Sequence, residues 1–234
     1  MGGFDLILWS RPKELSQLDT STLVYELLRA IQSYTGEATI VYETDWMGSY
    51  FVPLEINIQD VCYLIERCID RNVLRVRGRL VVQADLLMVG AGGQKLFISM
   101  DIGNYNPFFT NSFVVSFPDS FANLEEAAEG FERLFINLVQ SFKPYYAFVP
   151  NSDDTLRFGG HWENDRPTSV HWMNYFDAST TEMIGRDKLH RFHGAVDVDG
   201  GVFLRLTDEP FDPREADHVM KRADANRYLK LPRS

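Results

Sequence analysis

The stretch "SVHWMNYFDASTTEMIG" (169–185), followed by "DGGVFLRLTDEPFDPREADHV" (199–219), decides the fold class. "SVHWMNYF" (169–176) has the aromatic, alternating character of a strand, and about 178–191 reads as a short helix. "GAVDV-DG-GVFLRLT" (194–207) is two apolar runs split by Asp199-Gly200. That dipeptide suits a two-residue hairpin turn, where both positions take positive φ. A last helix is predicted from near Pro213, placed in a first turn by Asp212, to about Leu229. Helices interspersed with hairpins call for an α+β fold, antiparallel sheet packed by several helices, rather than a doubly wound parallel sheet.

Working outward, the same pattern holds. "FDLILWS" (4–10) and "EATIVYE" (37–43) read as strands. Leu23, Val24, Leu27, Leu28 and Ile31 form one helical stripe over about 20–34, with a cap near Asp19 or Thr20. Val61, Leu64, Ile65, Cys68 and Ile69 define a second helix, capped by Asn57. Strands at about 79–89 and 95–102 flank "GAGG" (90–93). A phosphate loop needs a helix after its glycines, and a strand follows here, so this is a hairpin turn. "SFVVSF" (112–117) and "YYAFVP" (145–150) are further strands. Between them the longest helix, about 123–142, carries an apolar face through Phe131, Leu134, Phe135, Leu138 and Phe142. Asn123 and Glu126 stand at capping-box spacing, and Pro144 ends the helix. The polar span 151–167 divides one α+β domain of 1–234 into subdomains 1–150 and 168–234.

Length and composition bound the function. A 234-residue chain with 45% hydrophobic and 24% charged residues fits a globular protein with a sizeable core. No apolar run approaches the ~20 residues of a membrane span. The N-terminal "MGGFDLILWSRPK" reads as a first strand rather than a signal peptide, and the expected location is the cytoplasm. Cys62 and Cys68 face different sides of their helix, so they are expected as reduced thiols. The net charge of −10 disfavours direct nucleic-acid binding. Its distribution is uneven. Ala30–Glu66 holds six acidic residues and no Lys or Arg, and Asp101–Glu132 repeats this. Such spans suit a negative face that steers a basic partner, or a plain solvated surface.

Catalytic signals are sparse. All five histidines (His161, His171, His190, His193, His218) fall in the last third. His190 and His193 are three apart, a spacing that can share a metal, but they stand at a predicted helix end beside Lys188 and Arg191, where cations complement the dipole. His171 and Asp177 on one strand would lie about 20 Å apart, too far for an acid–base pair. "DVDG" (197–200) opens like a calcium loop but has Asp208 where the glutamate belongs. No cofactor, metal or enzyme activity is expected. Trp172 and Phe176 are expected to face the core, with Phe211 packing beneath the strand-to-helix connection and Asp208, Glu209 and Asp212 near the helix start.

The run "VHWMNYF", a short helix containing "IG", then "GGVFLRLTDEPFDP" and a final helix with a histidine resembles the Immunity protein 52 family over about the last 70 residues. The first 140 residues match that family only in general element order. The resemblance implies a cytoplasmic antitoxin that binds a cognate nuclease toxin delivered by type VI secretion, with no catalytic residues of its own. The partner is then a toxin with a basic groove. The expected toxin-binding residues come from the acidic spans and their aromatic loops: Glu43, Asp45, Trp46 and Tyr50, with Asp101, Tyr105 and Phe108. Alternatively, Trp46 and Phe108 belong to the core and the charges are merely solvated. Two other function classes compete: a small hydrolase using the histidine-rich third, and an adaptor of a secretion system.

Overall fold

The structure, a computed structural model, describes residues 3–36, 40–44, 52–76, 81–90, 92–103, 110–118, 125–153, 162–163 and 166–232. The strands are β1 (Phe4–Ser10), β2 (Ile40–Thr44), β3 (Val52–Leu54), β4 (Val82–Val89), β5 (Lys95–Ile102), β6 (Asn111–Phe117) and β7 (Tyr146–Val149). They continue with β8 (Trp162–Glu163), β9 (Arg166–Pro167), β10 (Met173–Phe176), β11 (Val196–Val198) and β12 (Gly201–Arg205). Ten of them form one sheet in the order β11-β12-β10-β7-β1-β6-β5-β4-β2-β3, and β8 pairs with β9 alone. With the six helices among the described residues this is an α+β fold, and each pair whose register is resolved runs antiparallel. No helix among the described residues is long and apolar enough to cross a membrane.

The chain divides into two compact units, one of Met1–Ile7, Phe117–Gln140 and Pro144–Ser234, the other of Leu8–Ser116 and Ser141–Lys143. Most of 117–150 therefore groups with the C-terminal residues, for a reason visible in its contacts. Helix α3 (Glu125–Phe142) buries Ala128, Phe131, Leu134, Phe135, Leu138 and Val139. Phe131 stacks on Trp172 at 5.5 Å, and Phe135 packs on Phe203 at 5.6 Å. Asn123 of the expected capping box lies outside the described residues.

In this first unit β10 lies between β7 and β12. Both its faces are covered, because Met173, Asn174, Tyr175 and Phe176 are all buried. The expected division into a core-facing and a solvent-facing set does not hold, since an interior strand under two layers has no wet side. The expected strand at 169–176 is also shorter. Residues 169–172 leave the ladder yet stay buried, and side chains satisfy their backbone. Asn226 Oδ1 accepts from the Val170 N–H at 2.9 Å, and Asn226 Nδ2 donates to Ser169 Oγ at 2.8 Å. Asn174 Oδ1 accepts from the His171 N–H, and Asn174 Nδ2 donates to the His171 carbonyl. Trp172 Nε1 donates to the Thr207 carbonyl at 3.1 Å.

The predicted helix at 178–191 is two helices, α4 (Ala178–Ile184) and α5 (Arg186–Leu189), broken at Gly185 with φ 104°. Asp177 caps α4 by accepting from the Thr180 N–H at 2.8 Å. The hairpin turns at Asp199 and Gly200 as expected, with φ of 46° and 82°. The last helix, α6 (Ala216–Leu229), starts at Ala216 rather than near Pro213. Asp212 belongs to the preceding connection, where its carboxylate takes two side-chain hydrogen bonds from Arg214. These hold the Asp212 carboxyl below the usual aspartate range. Phe211 is buried beneath, stacked against His218.

The second unit contains α1 (Gln17–Thr35) and α2 (Ile58–Val76). Ser16, not Asp19 or Thr20, caps α1, and Asp19 closes the capping box at its third position. Hydrogen bonds from Ser16 lower the Asp19 carboxyl pKa. Asn57 caps α2 as expected, accepting from the Asp60 N–H at 2.9 Å. Helix α2 packs on β4 and against α1. Cys62 and Cys68 are free thiols.

Phe131→Ala and Phe135→Ala are each expected to cost about 3–5 kcal/mol, because a large aromatic is removed from a packed interior. Thermal and urea melts that do not move would remove α3 from the core. Asn226→Ala is expected to cost about 1–3 kcal/mol by stranding the Val170 N–H, whereas the neighbouring exposed Arg227→Ala should leave the urea midpoint nearly unchanged.

Candidate functional site

In an antiparallel pair, residues directly opposite share a face. Applied to the second unit, this rule sorts the side chains into two sets. Val41 opposes Met88, Glu43 opposes Leu86, and Leu86 and Met100 oppose Ile98 and Ala84. Ile98 and Met100 in turn oppose Val115 and Phe113. Most of this face is buried apolar core. The opposite face carries Gln83 against Asp101, Asp85 against Ser99 and Leu87 against Phe97. On β6 it continues with Ser112, Val114 and Ser116. Apart from Leu87, these side chains are exposed or half-buried. Phe97 is 60% exposed near the middle of the strand, with two carboxylates, Asp85 and Asp101, on the same face.

The two expected binding residues that the structure describes fall on opposite faces. Glu43 is only 5% exposed and forms an ion pair with Arg67 of α2, whose guanidinium lies 4.7 Å over the Tyr63 ring. It closes the buried side rather than contributing to an exposed charged face. Asp101 is on the open face. Gln83 Nε2 donates to Asp101 Oδ2 at 3.3 Å, while Oδ1 is buried without a hydrogen-bond partner among the described residues. Burial raises the Asp101 pKa, and the Gln83 hydrogen bond opposes the rise. Asp45, Trp46, Tyr50, Tyr105 and Phe108 lie outside the described residues. Sequence reasoning missed Asp85 and Phe97. The signal was the alternation in "KLFISMDI" (95–102), where inward Leu, Ile, Met and Ile leave Phe97 and Asp101 outward.

Three of the five histidines take part in packing or local pairing, and His161 lies outside the described residues. His171 is 5% exposed and stacks on Phe148 at 4.9 Å. His218 Nδ1 accepts from the Asp212 N–H at 3.0 Å, so the neutral ring carries its proton on Nε2. His190 Nε2 is 3.3 Å from Asp197 Oδ1, and the same carboxylate pairs with Arg186. Arg186 also donates to the Gly200 carbonyl at 2.7 Å, which clamps the hairpin turn. Thus "DVDG" (197–200) serves a turn. Among the described residues no group of three or more His, Cys, Asp or Glu stands where it could hold a metal. Tyr175 has its pKa pushed up to about 12, by burial first and then by Asp199 and Asp177.

The whole architecture has a solved counterpart. The chain is similar in fold to "Pseudomonas aeruginosa T6SS protein PA0821", with a TM-score of 0.62 at 12% identity. The match covers 98% of this chain and 73% of that one. At this identity the likeness is one of fold. The chain matches no family model and no curated protein.

Asp101→Asn is expected to raise the melting temperature at neutral pH. A carboxyl with a raised folded-state pKa costs stability when charged, and the cost fades as pH falls through that pKa towards the ordinary aspartate range. The gain from Asn should shrink along the same path. A lower melting temperature for Asp101→Asn at neutral pH would mean that the charge is stabilising in the free protein.

Proposed function

We propose that this chain is an immunity protein, which acts by binding a toxin rather than by chemistry, and that the open face of the β4–β5–β6 sheet is where it binds. One observation carries the reading: an exposed aromatic, Phe97, shares a sheet face with two carboxylates, Asp85 and Asp101, and one Asp101 oxygen is held without a hydrogen-bond donor among the described residues. A free protein gains nothing by holding a carboxylate this way. The exposed Asp85 and the accessible part of the Asp101 carboxylate can accept from a partner's Arg or Lys, and docking excludes water so that those hydrogen bonds strengthen. Phe97 supplies apolar contact area, as aromatic anchors do at interface centres.

The partner class follows from charge. With a net charge of −10 the chain attracts basic surfaces, and a nuclease presents one because its substrate is polyanionic. Occupying such a groove blocks nucleic acid without any catalytic group on the inhibitor. Two further points support the setting: the resemblance of the last 70 residues to the Immunity protein 52 family, and the shared fold with a protein titled as belonging to a type VI secretion system. The reading places the protein in the cytoplasm, where an incoming nuclease acts. Asp45, Trp46, Tyr50, Tyr105 and Phe108 remain proposed contacts alongside Asp101; Glu43 is assigned instead to the ion pair that holds α2 to the sheet.

The test is to sequence the gene adjacent to this chain's own, to co-express the chain with the nuclease toxin expected there, and to measure binding on the purified pair. Wild-type chain should protect cells. Phe97→Ala should weaken the complex by about 2 kcal/mol or more while the free protein melts normally. Reversing Asp85 and Asp101 to Lys should slow association most at low salt, where the field is least screened. Wild-type protection and wild-type association rates in both variants would move the interface off this face. Failure of the wild-type chain to protect would reject the immunity reading itself.

A further inference from the structure

The first unit holds a second surface that the immunity reading does not use. Helix α6, the turn after α5 and Leu206 border an open groove of about 400 Å³, lined by Arg191, Phe192, Leu206, Lys221, Asp224, Ala225 and Tyr228. That volume falls in the range of ligand-binding clefts, roughly 300–1,000 Å³. Its bed is apolar. Phe192 and Tyr228 meet edge to face with ring centroids 6.0 Å apart, while Ala225 is buried.

Its charge is opposite to that of the chain. Arg191 lies 6.0 Å over the Tyr228 ring, and neither Arg191 nor Lys221 forms an ion pair with a described carboxylate. The acid at the groove, Asp224, already accepts from Arg227 at 3.0 Å. Two cations without an ion-pair partner among the described residues therefore stand beside an aromatic bed, against one lining acid that is already paired. Met220, one residue before Lys221 and one turn before Asp224, is 59% exposed. It extends the apolar surface along α6 beyond the groove.

We propose that this groove binds an extended acidic segment of a protein partner. One large apolar side chain of that segment seats on Phe192, Leu206 and Tyr228, and flanking carboxylates meet Arg191 and Lys221. Cations beside an apolar bed select for a carboxylate attached to a hydrophobic body. The exposed Met220 favours an extended chain over a compact ligand, because it offers contact area that a molecule confined to the groove does not reach. The occupant is opposite in sign to the basic partner proposed for the open sheet face, so the two surfaces serve different molecules.

The experiment is a titration of the full chain followed through the backbone amides of Arg191, Phe192, Ala225 and Tyr228. The probes are an end-capped peptide with leucine flanked by glutamates, the same peptide with lysines in place of the glutamates, and octanoate. The acidic peptide should shift these amides, and the lysine peptide should not. Lys221→Glu and Arg191→Glu together should lower the acidic peptide's affinity about tenfold or more. Both side chains are at the surface, and a melting curve checks that the variant is folded. Tyr228→Ala, which removes bed rather than charge, should weaken the peptide independently. No shift with the acidic peptide, equal shifts with the lysine peptide, or an unchanged affinity in the charge variant overturns the proposal. Saturation by octanoate with no response to either peptide overturns it in favour of a small carboxylate site. None of these outcomes depends on whether the chain protects cells from a nuclease.

Discussion

In the first unit, much depends on a backbone problem at residues 169–172. These residues are buried but are not part of the sheet ladder; the Trp172 carbonyl accepts from the Leu206 N–H and the Ser169 carbonyl from the Tyr146 hydroxyl, which leaves the Val170 N–H and both His171 backbone groups to other side chains. An unmet backbone group in such a place costs about 1–3 kcal/mol. Asn226 and Asn174 solve it with short amide side chains that donate and accept at once. The solution has structural consequences. Asn226 fixes α6 against Ser169 and Val170, which in turn sets Ala225 and Tyr228 in the groove. With 169–171 fixed, Trp172 is directed onto Phe131, and its indole N–H reaches Thr207. In this stretch, where histidine, amide and aromatics crowd together, the two amides bury irregular backbone.

The second unit is governed by a different constraint, the twofold alternation of an antiparallel sheet. Once the core face is filled by Leu86, Met88, Ile98, Met100, Phe113 and Val115, every intervening residue is committed to the other side. Register therefore decides which acids can act together. Asp85 and Asp101 share a face although they belong to different strands, while Glu43, close to Asp45 in sequence, is turned inward to Arg67. A one-residue slip would exchange these roles.

The α+β class and most elements were legible from sequence because they rest on local rules. The periodicity of α3, the Asp199-Gly200 turn and the Asn57 cap each need only a few neighbouring residues to specify them. What was not legible depends on partners far away in the chain. The start of α1 was missed because its first turn, from Gln17, is largely exposed and adds little to the apolar stripe. The break at Gly185 lies between two segments that each look helical, and a single glycine does not announce whether it kinks or is tolerated. That β10 has no wet face follows from its place between β7 and β12, which alternation within 169–176 does not encode. At the candidate site, Asp101 was legible as an acid in an unopposed span. Phe97 was not, because its significance comes from the face it shares with Asp85 and Asp101.

Charge runs in sequence overstate the field on any one surface, and this chain illustrates why. The span Ala30–Glu66 contributes six acids to the count, yet Glu43 is neutralised by an internal ion pair and Asp60 is committed near the start of α2, accepting from the Glu55 N–H. Charges used this way hold the fold and project little into solvent. A buried pair is costly to break from either side, because the surviving partner is left as an uncompensated charge. Removing Glu43 therefore disturbs α2 before it can report on any partner. Asp101 sits on the other face, where burial raises its carboxyl pKa and only Gln83 donates to it among the described residues. Local placement of charge, rather than the total of −10, is what separates acids turned into the fold, such as Glu43, from acids on the opposite face of the sheet, such as Asp85 and Asp101.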